Sequence, residues 1–414
     1  MKRDKGQGTW DVGHGTWDKG LWSMVHCSLS RCVILLVCGL LLFLNGCSKP
    51  NEISKQNIKE TIEKKDIYKI AVVAPQIGPY QALGLSIIRG AELAVDIKNE
   101  QGGINGKQIE LIKVDDGGLP GDATWRARDL VDAMVLGVIG HLNSDISIPA
   151  SEIYAKAKIP QISPGSTSPI FTERDAVKGY VFRTIGRDDQ QGEILADLIQ
   201  EKGFKKIGVL YNNRPYGSSL ASEFLGRLSK DSETAPDVIL YEKYRVGKSD
   251  YSSEVKLVTE KSPEVIFFVG EYGDAGKFLK ELRESGLTTA FVGSEGVFDQ
   301  EFIDYASEAA QGALVISSLP VKDGSFVEKY KQKYKKELGS YSAAAYDATN
   351  ILISAIEKVK EKSSDKIAKE IQNINEFNGV LGKLSFNSKG DLEGPGFAIY
   401  EVKDGMFVLK DNSK

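Results

Sequence analysis

The chain has 414 residues, 41% of them hydrophobic, and its 53 Lys and Arg against 57 Asp and Glu give a formal net charge of −4 at pH 7. Nucleic acid is excluded as the expected partner, because phosphate backbones attract strongly basic surfaces and this chain is mildly acidic. The length exceeds what a single hydrophobic core usually supports, so two lobes are expected.

The N-terminus has the pattern of an exported lipoprotein. Residues 32–44 are almost purely apolar, a run too short for a transmembrane helix of about 20 residues but suited to a signal-peptide core. The run leads into Asn45-Gly46-Cys47, which resembles the bacterial lipobox, although Asn45 departs from the usual small or aliphatic residue. We therefore predict a signal peptide over 1–46 and lipidation of Cys47. The alternatives are an ordinary secretion signal and a short buried helix.

Two further features belong to this region. Residues 1–23 form a glycine-rich stretch in which Gly-Thr-Trp-Asp occurs twice, unlike a signal-peptide start, so Met24 is an alternative first residue. Residues 47–66 are the lipidated cysteine and a polar segment, rich in Lys, Glu and Asn, that is typical of a tether. Without residues 1–46, which hold five basic and three acidic side chains, 368 residues remain with 48 basic and 54 acidic, a net charge of −6.

Cysteine and histidine are scarce in the mature chain. All four cysteines lie within the first 47 residues, and only His141 among three histidines lies beyond the signal peptide. A disulfide, a thiolate or multi-histidine metal site and a Cys/His catalytic pair are therefore excluded from the mature chain. An enzyme that uses carboxylates alone remains an alternative. The adjacent Asp115 and Asp116 do not form such a pair, because neighbouring strand residues point to opposite faces. We expect no enzymatic activity, no cofactor and no metal.

From residue 67 onward, short apolar strands alternate with helical patterns. Strands are expected at residues 68–75, 109–114, 135–141, 159–162, 206–210, 265–269, 290–292 and 313–317. Helices are expected between them, followed by two long helices over 326–336 and 343–361 and a β section over 380–409, with Asp404-Gly405 as its hairpin turn. Repeated βα units of this kind predict an α/β protein with two doubly wound, mostly parallel sheets.

Two of these strands run into loops rich in hydroxyl groups, at residues 143–145 and 163–167. In open α/β sheets, the carboxyl ends of strands and the helix N-termini that follow them collect free backbone N–H groups, which suit a small anion such as a carboxylate. The alternative for Ser144 and Thr167 is helix N-capping, which any βα loop can require.

Seven short motifs occur in the order found in one known family. They are Gly102-Gly103-Ile104-Asn105-Gly106, Asp115-Asp116, Ile139-Gly140-His141-Leu142, Ser163-Pro164, Pro215-Tyr216-Gly217, Gly293-Ser294-Glu295-Gly296 and Ala345-Tyr346-Asp347-Ala348. From about residue 67 to its end, the chain thereby resembles the type I periplasmic binding proteins, specifically the Leu/Ile/Val-binding subfamily of ABC importers. The resemblance implies two lobes that close on a ligand and are joined by three crossovers. Lobe I is expected over 67–185 and 319–380, and lobe II over 186–318 and 381–414.

The same resemblance implies a clamp for an amino acid. Ser144 and Thr167, the latter in a loop with Ser166, would donate hydrogen bonds to the α-carboxylate. The carbonyl of Gly165 would accept from the ammonium group, with Glu295 of the other lobe as its counter-charge. A surface position is the alternative for Glu295.

Other positions concern the remainder of the ligand. Tyr216 matches a family aromatic that covers the ligand, with an exposed turn tyrosine as the alternative. Leu83 and Glu271 stand where the family has aromatic residues, although a shift by one position would place Tyr272 there instead of Glu271. A carboxylate in the pocket wall would suit a polar or basic side chain on the ligand. Orientation of Glu271 toward solvent is the alternative.

The resemblance therefore implies an extracytoplasmic, lipid-anchored and monomeric solute-binding protein. It would capture an amino acid, either branched-chain-like or polar, between the lobes and deliver it to the permease of an ABC importer. A sensory or structural envelope lipoprotein that uses the same fold for protein contacts is the alternative from a different class. The sequence does not identify the ligand's side chain or the permease.

Overall fold

The computed structural model describes residues 67–229, 235–394 and 396–410. The predicted signal peptide, Cys47 and the tether lie outside the described residues. Within them, strands and helices alternate from Tyr68 to Leu409. The α/β class with parallel-sheet lobes that the sequence predicts is confirmed.

The first sheet has five parallel strands in the order β2-β1-β3-β4-β5. Its strands are β1 (Tyr68–Val73), β2 (Ile109–Val114), β3 (Val138–Gly140), β4 (Gln161–Ser163) and β5 (Val181–Arg183). The helices that follow β1 to β4 are α1 (Gln81–Glu100), α2 (Pro120–Asp132), α3 (Ser144–Lys156) and α4 (Ile170–Glu173). Strands β3, β4 and β5 are buried throughout, as is usual in a parallel sheet, and they include the buried polar side chains of Gln161, Ser163 and Arg183.

The second sheet has seven strands in the order β14-β13-β10-β9-β8-β6-β7. Its parallel part is β6 (Lys206–Asn212), β7 (Asp237–Tyr244), β8 (Val265–Val269), β9 (Ala290–Gly293) and β10 (Leu314–Ser318). The helices of this part are α5 (Asp188–Glu201), α6 (Pro215–Leu228), α7 (Ser252–Lys261), α8 (Tyr272–Glu284) and α9 (Gln300–Ala306). Two strands of the parallel parts were not among those expected: β5 of the first sheet, which has only three residues, and the edge strand β7, in which only Leu240 and Tyr244 are buried.

The C-terminal part returns to the first lobe and then to the second sheet. Its helices are α10 (Gly324–Tyr334), α11 (Ser342–Val359) and α12 (Ser364–Gln372). Helix α11 packs on α1 so closely that a Cβ on Gly90 would lie 2.2 Å from the carbonyl oxygen of Ser342. The last strands are β11 (Phe377–Gly379), β12 (Gly382–Leu384), β13 (Phe397–Lys403) and β14 (Met406–Leu409), with Asp404-Gly405 in the turn between β13 and β14 as expected.

The segment between β12 and β13 still contacts the first lobe. The amide of Arg183 donates to the carbonyl of Gly390 at 3.1 Å, and the ring of Phe386 lies 5.3 Å from that of Phe182. These contacts favour a third crossover nearer to Gly396 than the boundary at 380/381 that the sequence suggests. The residue limits of the lobes stay a prediction.

Candidate functional site

A small cavity lies between the lobes, at the carboxyl ends of strands from both sheets; its empty space, open solvent included, is about 280 Å³. The first lobe contributes Leu83, Leu142, Asn143, Ser144, Gly165 and Tyr341. The second lobe contributes Tyr216, Glu271, Glu295 and Gly296. The cavity wall thus contains two carboxylates, and no basic side chain is among these lining residues.

Glu295 lies directly after β9 and is only 3% exposed. Its Oε2 accepts hydrogen bonds from Gln191 Nε2 at 2.7 Å and from the Tyr216 hydroxyl at 2.5 Å. Its own amide donates to Gln191 Oε1 at 3.0 Å. Among the described residues no other residue donates to Oε1 of Glu295. One oxygen is therefore used to fix the carboxylate, and the other remains for a ligand.

Burial raises the pKa of Glu295 to about 7, and the nearby Asp188 acts in the same direction. The hydrogen bonds from Tyr216 and Gln191 oppose this effect. Asp188 is itself fully buried, which raises its pKa to about 6. A cationic group in the cavity would favour the ionised form of Glu295, because an opposite charge at close range lowers a carboxyl pKa.

Glu271 occupies the N-cap position of α8, but its side chain makes no capping hydrogen bond. It turns into the cavity, where Asn212 Nδ2 donates to its Oε2 at 3.0 Å. Asn212 is held in turn, because its Oδ1 accepts from the backbone amide of Arg214 at 3.1 Å. Burial, together with Asp274, raises the pKa of Glu271 to about 8 against the opposing effect of Arg214. Of the two positions that the sequence left open, Glu271 rather than Tyr272 lines the cavity.

The first lobe presents the N-terminus of α3 to the same cavity. Ser144 is the first residue of this helix, and its hydroxyl oxygen accepts from the amide of Ser168 at 3.3 Å, so its proton remains available to donate. The first turn of a helix also carries N–H groups without intrahelical partners and a partial positive charge. Gly165 allows close packing here, because a Cβ at this position would lie 2.8 Å from the Leu142 side chain. This side of the cavity suits a carboxylate.

Three predicted residues are not among those that line the cavity. The hydroxyl of Ser166 is already used, since it donates to Leu142 O at 3.1 Å and lies 2.5 Å from Ser147 Oγ. Thr167 is fully buried, and its hydroxyl lies beside the carboxylate of Asp188, whose pKa it lowers. Tyr272 starts α8 and is buried. The roles of Ser166, Thr167 and Tyr272 in ligand binding stay predictions.

Three contributors to the site were not found from the sequence. Gln191 orients Glu295 from α5, a helix separated from it by 104 residues. Tyr341 lies at the start of α11, and burial together with Glu295 and Glu271 raises its pKa well above the ordinary value. Asn143 precedes α3, and its side-chain oxygen is buried without a partner in the described part of the chain. Gln191 and Tyr341 belong to no motif that could have indicated their roles, whereas Asn143 lies in the predicted loop 143–145 without a role assigned to its side chain.

Asp115, Asp116 and His141 have structural partners. Asp115 Oδ1 accepts from the amides of Gln76 at 2.9 Å and Gly117 at 2.8 Å. Asp116 Oδ2 lies 2.7 Å from Nδ1 of the fully buried His141. Within residues 67–229, 235–394 and 396–410, no group of three or more His, Cys, Asp and Glu is placed to hold a metal ion. No helix in the same ranges has the length and apolar character needed to cross a membrane.

Comparisons with known proteins agree on one family. Residues 67–406 match the periplasmic binding protein family. The Leu/Ile/Val-binding protein homolog 1 of Brucella abortus is 33% identical over 341 residues, which cover 81% of this chain and 90% of that protein. Two crystal structures share 27% identity and cover 83% of this chain. The leucine-binding protein of Thermotoga maritima superposes with a TM-score of 0.76, and the match covers 98% of its chain. The branched-chain amino acid binding protein of Streptococcus pneumoniae, in complex with isoleucine, superposes with a TM-score of 0.74, and the match covers 100% of its chain.

Proposed function

The chain belongs to the periplasmic binding protein family, and on this basis we propose that it captures an α-amino acid between its lobes and presents it to an ABC importer. Three relatives that the comparisons name bind leucine, isoleucine or valine, or are homologues of such proteins. Their ligands share an α-ammonium and an α-carboxylate group, and it is this shared part that the cavity matches best.

The observation that carries the proposal is Glu295, a fully buried carboxylate with one oxygen held by Gln191 and Tyr216 and the other free of described partners. An ammonium group supplies the counter-charge and the donor that this oxygen lacks. Ser144 and the N-terminus of α3 stand on the opposite lobe, where they can donate to a carboxylate. Charge-assisted hydrogen bonds contribute about 1.5 to 3 kcal/mol each, so three or four of them support affinity near the micromolar range.

Export and anchoring complete the proposal. Cys47, after the apolar run 32–44, would carry the lipid, and residues 48–66 would tether the lobes to the membrane. The protein would act outside the cytoplasm as a monomer, beside its permease. Metabolic labelling with a radioactive fatty acid would test the anchor: label is expected in the native chain and absent from Cys47→Ala, and equal labelling of both would refute it.

Calorimetric titration of the chain from residue 48 onward tests the ligand class. The natural amino acids would be compared with analogues that lack either the amino or the carboxylate group. At least one amino acid should bind with micromolar affinity, and its deaminated and decarboxylated analogues should bind far more weakly. If no amino acid binds, the proposal fails. Mass spectrometry of the recovered ligand provides a second readout, since conversion during a long incubation would favour the carboxylate-only enzyme.

A further inference from the structure

We propose that Glu271 makes the cavity selective for an amino acid whose short side chain ends in an N–H or O–H donor, over an aliphatic one of the same shape. The inference rests on the proposed function, because it concerns the part of the ligand beyond its α-amino and α-carboxylate groups. It assigns to Glu271 the role of a specificity-determining residue, opposite the apolar side chains of Leu83 and Leu142 in the same wall.

The first reason is that Glu271 is built into the wall rather than left on the surface. The residue is 5% exposed, and Asn212 fixes its Oε2 by a hydrogen bond of 3.0 Å. Asn212 is fixed by the amide of Arg214, so the position of the carboxylate is determined by two successive hydrogen bonds. Gly296 permits this approach, because a Cβ there would lie 3.4 Å from the Glu271 side chain and 2.7 Å from Gly270 O.

The second reason is that the other oxygen has no structural use. Oε1 of Glu271 receives no hydrogen bond from the described residues, and the side chain does not cap α8. The guanidinium of Arg214 is nearby but donates to Asp145, Tyr80 and Gly118 instead. Oε1 of Glu271 is not among the fully buried atoms, so it remains accessible. An aliphatic ligand would cover this oxygen without giving it a donor, which is costly, whereas a ligand N–H or O–H would donate to it.

The third reason is that a second acceptor in the same cavity also lacks a donor. The side-chain oxygen of Asn143 is buried and has no hydrogen-bond partner among the described residues. Glu295 is the third lining residue with an unpaired oxygen, and it is assigned to the ammonium group. The cavity therefore offers more acceptors than the ammonium group of one aliphatic amino acid needs. Even with open solvent included, the empty space is only about 280 Å³, and it must also hold the α-amino and α-carboxylate groups, so the ligand is limited to a short side chain.

Four ligands of matched shape test the inference by calorimetry with the chain from residue 48 onward. Leucine, asparagine and aspartate have side chains of similar outline. The side chain of leucine has no polar group, that of asparagine carries an N–H donor, and that of aspartate carries acceptors only. The fourth ligand, 2,4-diaminobutyrate, carries a cationic donor. Asparagine or 2,4-diaminobutyrate should bind at least about tenfold more tightly than leucine. The titrations are made at about pH 8.5, where Glu271 is mostly ionised because its pKa is raised to about 8. Aspartate should then bind least, because its carboxylate would face that of Glu271.

Two variants separate charge from hydrogen bonding. Glu271→Gln keeps a side-chain acceptor and should lose any advantage of 2,4-diaminobutyrate over asparagine. Glu271→Leu removes the acceptor and should reverse the preference, so that leucine binds more tightly than asparagine. Glu308→Gln, at an exposed carboxylate, is the matched control and should behave like the native chain. Circular dichroism shows whether each variant is folded. If Glu271→Leu does not fold, the titrations of the native chain alone test the ligand preference.

Two results would overturn the inference. If leucine binds the native chain and outcompetes both donor-bearing ligands, selectivity by Glu271 is refuted while the capture of amino acids stands. If none of the natural amino acids binds, the proposed function fails and the inference fails with it.

Discussion

Arg214 of the second lobe donates two hydrogen bonds to one oxygen of Asp145 in the first lobe, from Nε at 3.0 Å and from Nη2 at 2.5 Å. The same guanidinium donates to the Tyr80 hydroxyl at 2.9 Å and to Gly118 O at 3.0 Å, and lies 5.2 Å from the centre of the Tyr80 ring. All of these partners belong to the first lobe. The side chain of Arg214 thus connects the two lobes beside the cavity, and this connection does not involve the ligand.

We expect Arg214→Gln to favour the open arrangement of the lobes and to weaken ligand binding by about tenfold, because partly buried charge-assisted hydrogen bonds contribute roughly 1.5 to 3 kcal/mol each. Small-angle X-ray scattering without ligand should show a larger radius of gyration than that of the native chain. Calorimetry should show the loss of affinity.

Asp145→Asn is the matched partner variant, and the double variant should cost less than the sum of the single ones because the two residues act as a pair. Arg245→Gln, at an exposed arginine, controls for the loss of one positive charge. Identical scattering from Arg214→Gln and the native chain would show that this contact does not bias closure.

Glu295→Gln should reduce the affinity for an amino acid by about 100-fold or more, because a neutral amide cannot replace the counter-charge of the ammonium group. The measurement is calorimetric titration with the ligand that binds the native chain most tightly. Unchanged affinity would show that another group receives the ammonium.

Tyr216→Phe is the milder test of the same site. It removes one of the two donors to Glu295 Oε2 and leaves the ring in the cavity wall. We expect a loss of affinity of roughly tenfold, in line with one hydrogen bond to a charged group. An effect as large as that of Glu295→Gln would mean that the hydroxyl itself contacts the ligand.

The sequence predicts where Glu295 and Tyr216 lie, since each follows the end of a strand within a recognisable motif. Alternating apolar strands and helices determine where such ends lie, and in a parallel sheet they gather at one edge. The hydroxyl of Ser144 is placed by the same rule. These predictions depend on local order along the chain, which periodicity detects.

The remaining contacts depend on distances through space that periodicity does not detect. Gln191 contacts Glu295 across 104 residues, and Arg214 contacts Asp145 across 69. From the sequence alone, Gln191 and Arg214 are each typical of a surface residue near the start of a helix. Glu271 could point to solvent or inward on sequence grounds, and only its hydrogen bond to Asn212 determines the direction.

A buried ion pair stabilises the loop beside Thr167, and its disruption should destabilise the first lobe. Arg183 is fully buried, with Nε 2.8 Å from Asp391 Oδ1, and it donates to Ser166 O at 2.8 Å and Ser168 O at 2.9 Å. We expect Asp391→Asn to lower the free energy of unfolding by about 3 kcal/mol, because the arginine would keep its charge without a buried partner.

Chemical denaturation of Asp391→Asn and the native chain measures this difference. Glu260→Gln is the control, since its pair with Lys256 is exposed and separated by 3.8 Å; such surface pairs contribute about 0 to 1 kcal/mol. Equal effects of the two substitutions would contradict a special role for the buried pair.

The pH dependence of stability tests the environment of Glu271. Burial and Asp274 raise its pKa from the ordinary value of 4.5 to about 8, Glu295 adds to the shift, and Arg214 and Asn212 oppose it. The native state therefore holds a proton that the unfolded chain has released between these two values. Glu271 consequently costs no stability below pH 4.5, costs progressively more as the pH rises toward about 8, and reaches its full cost above it.

Glu271→Gln removes this cost and should raise the melting temperature of the ligand-free chain by roughly 2 to 5 °C at about pH 8.5, with no gain at about pH 4.5. Differential scanning calorimetry at the two pH values measures the difference, and Glu308→Gln should show no such dependence. A donor-bearing ligand should abolish the advantage of Glu271→Gln at the higher pH, because it stabilises the ionised carboxylate of the native chain. An equal gain at both pH values would show that Glu271 is not held in a desolvated wall.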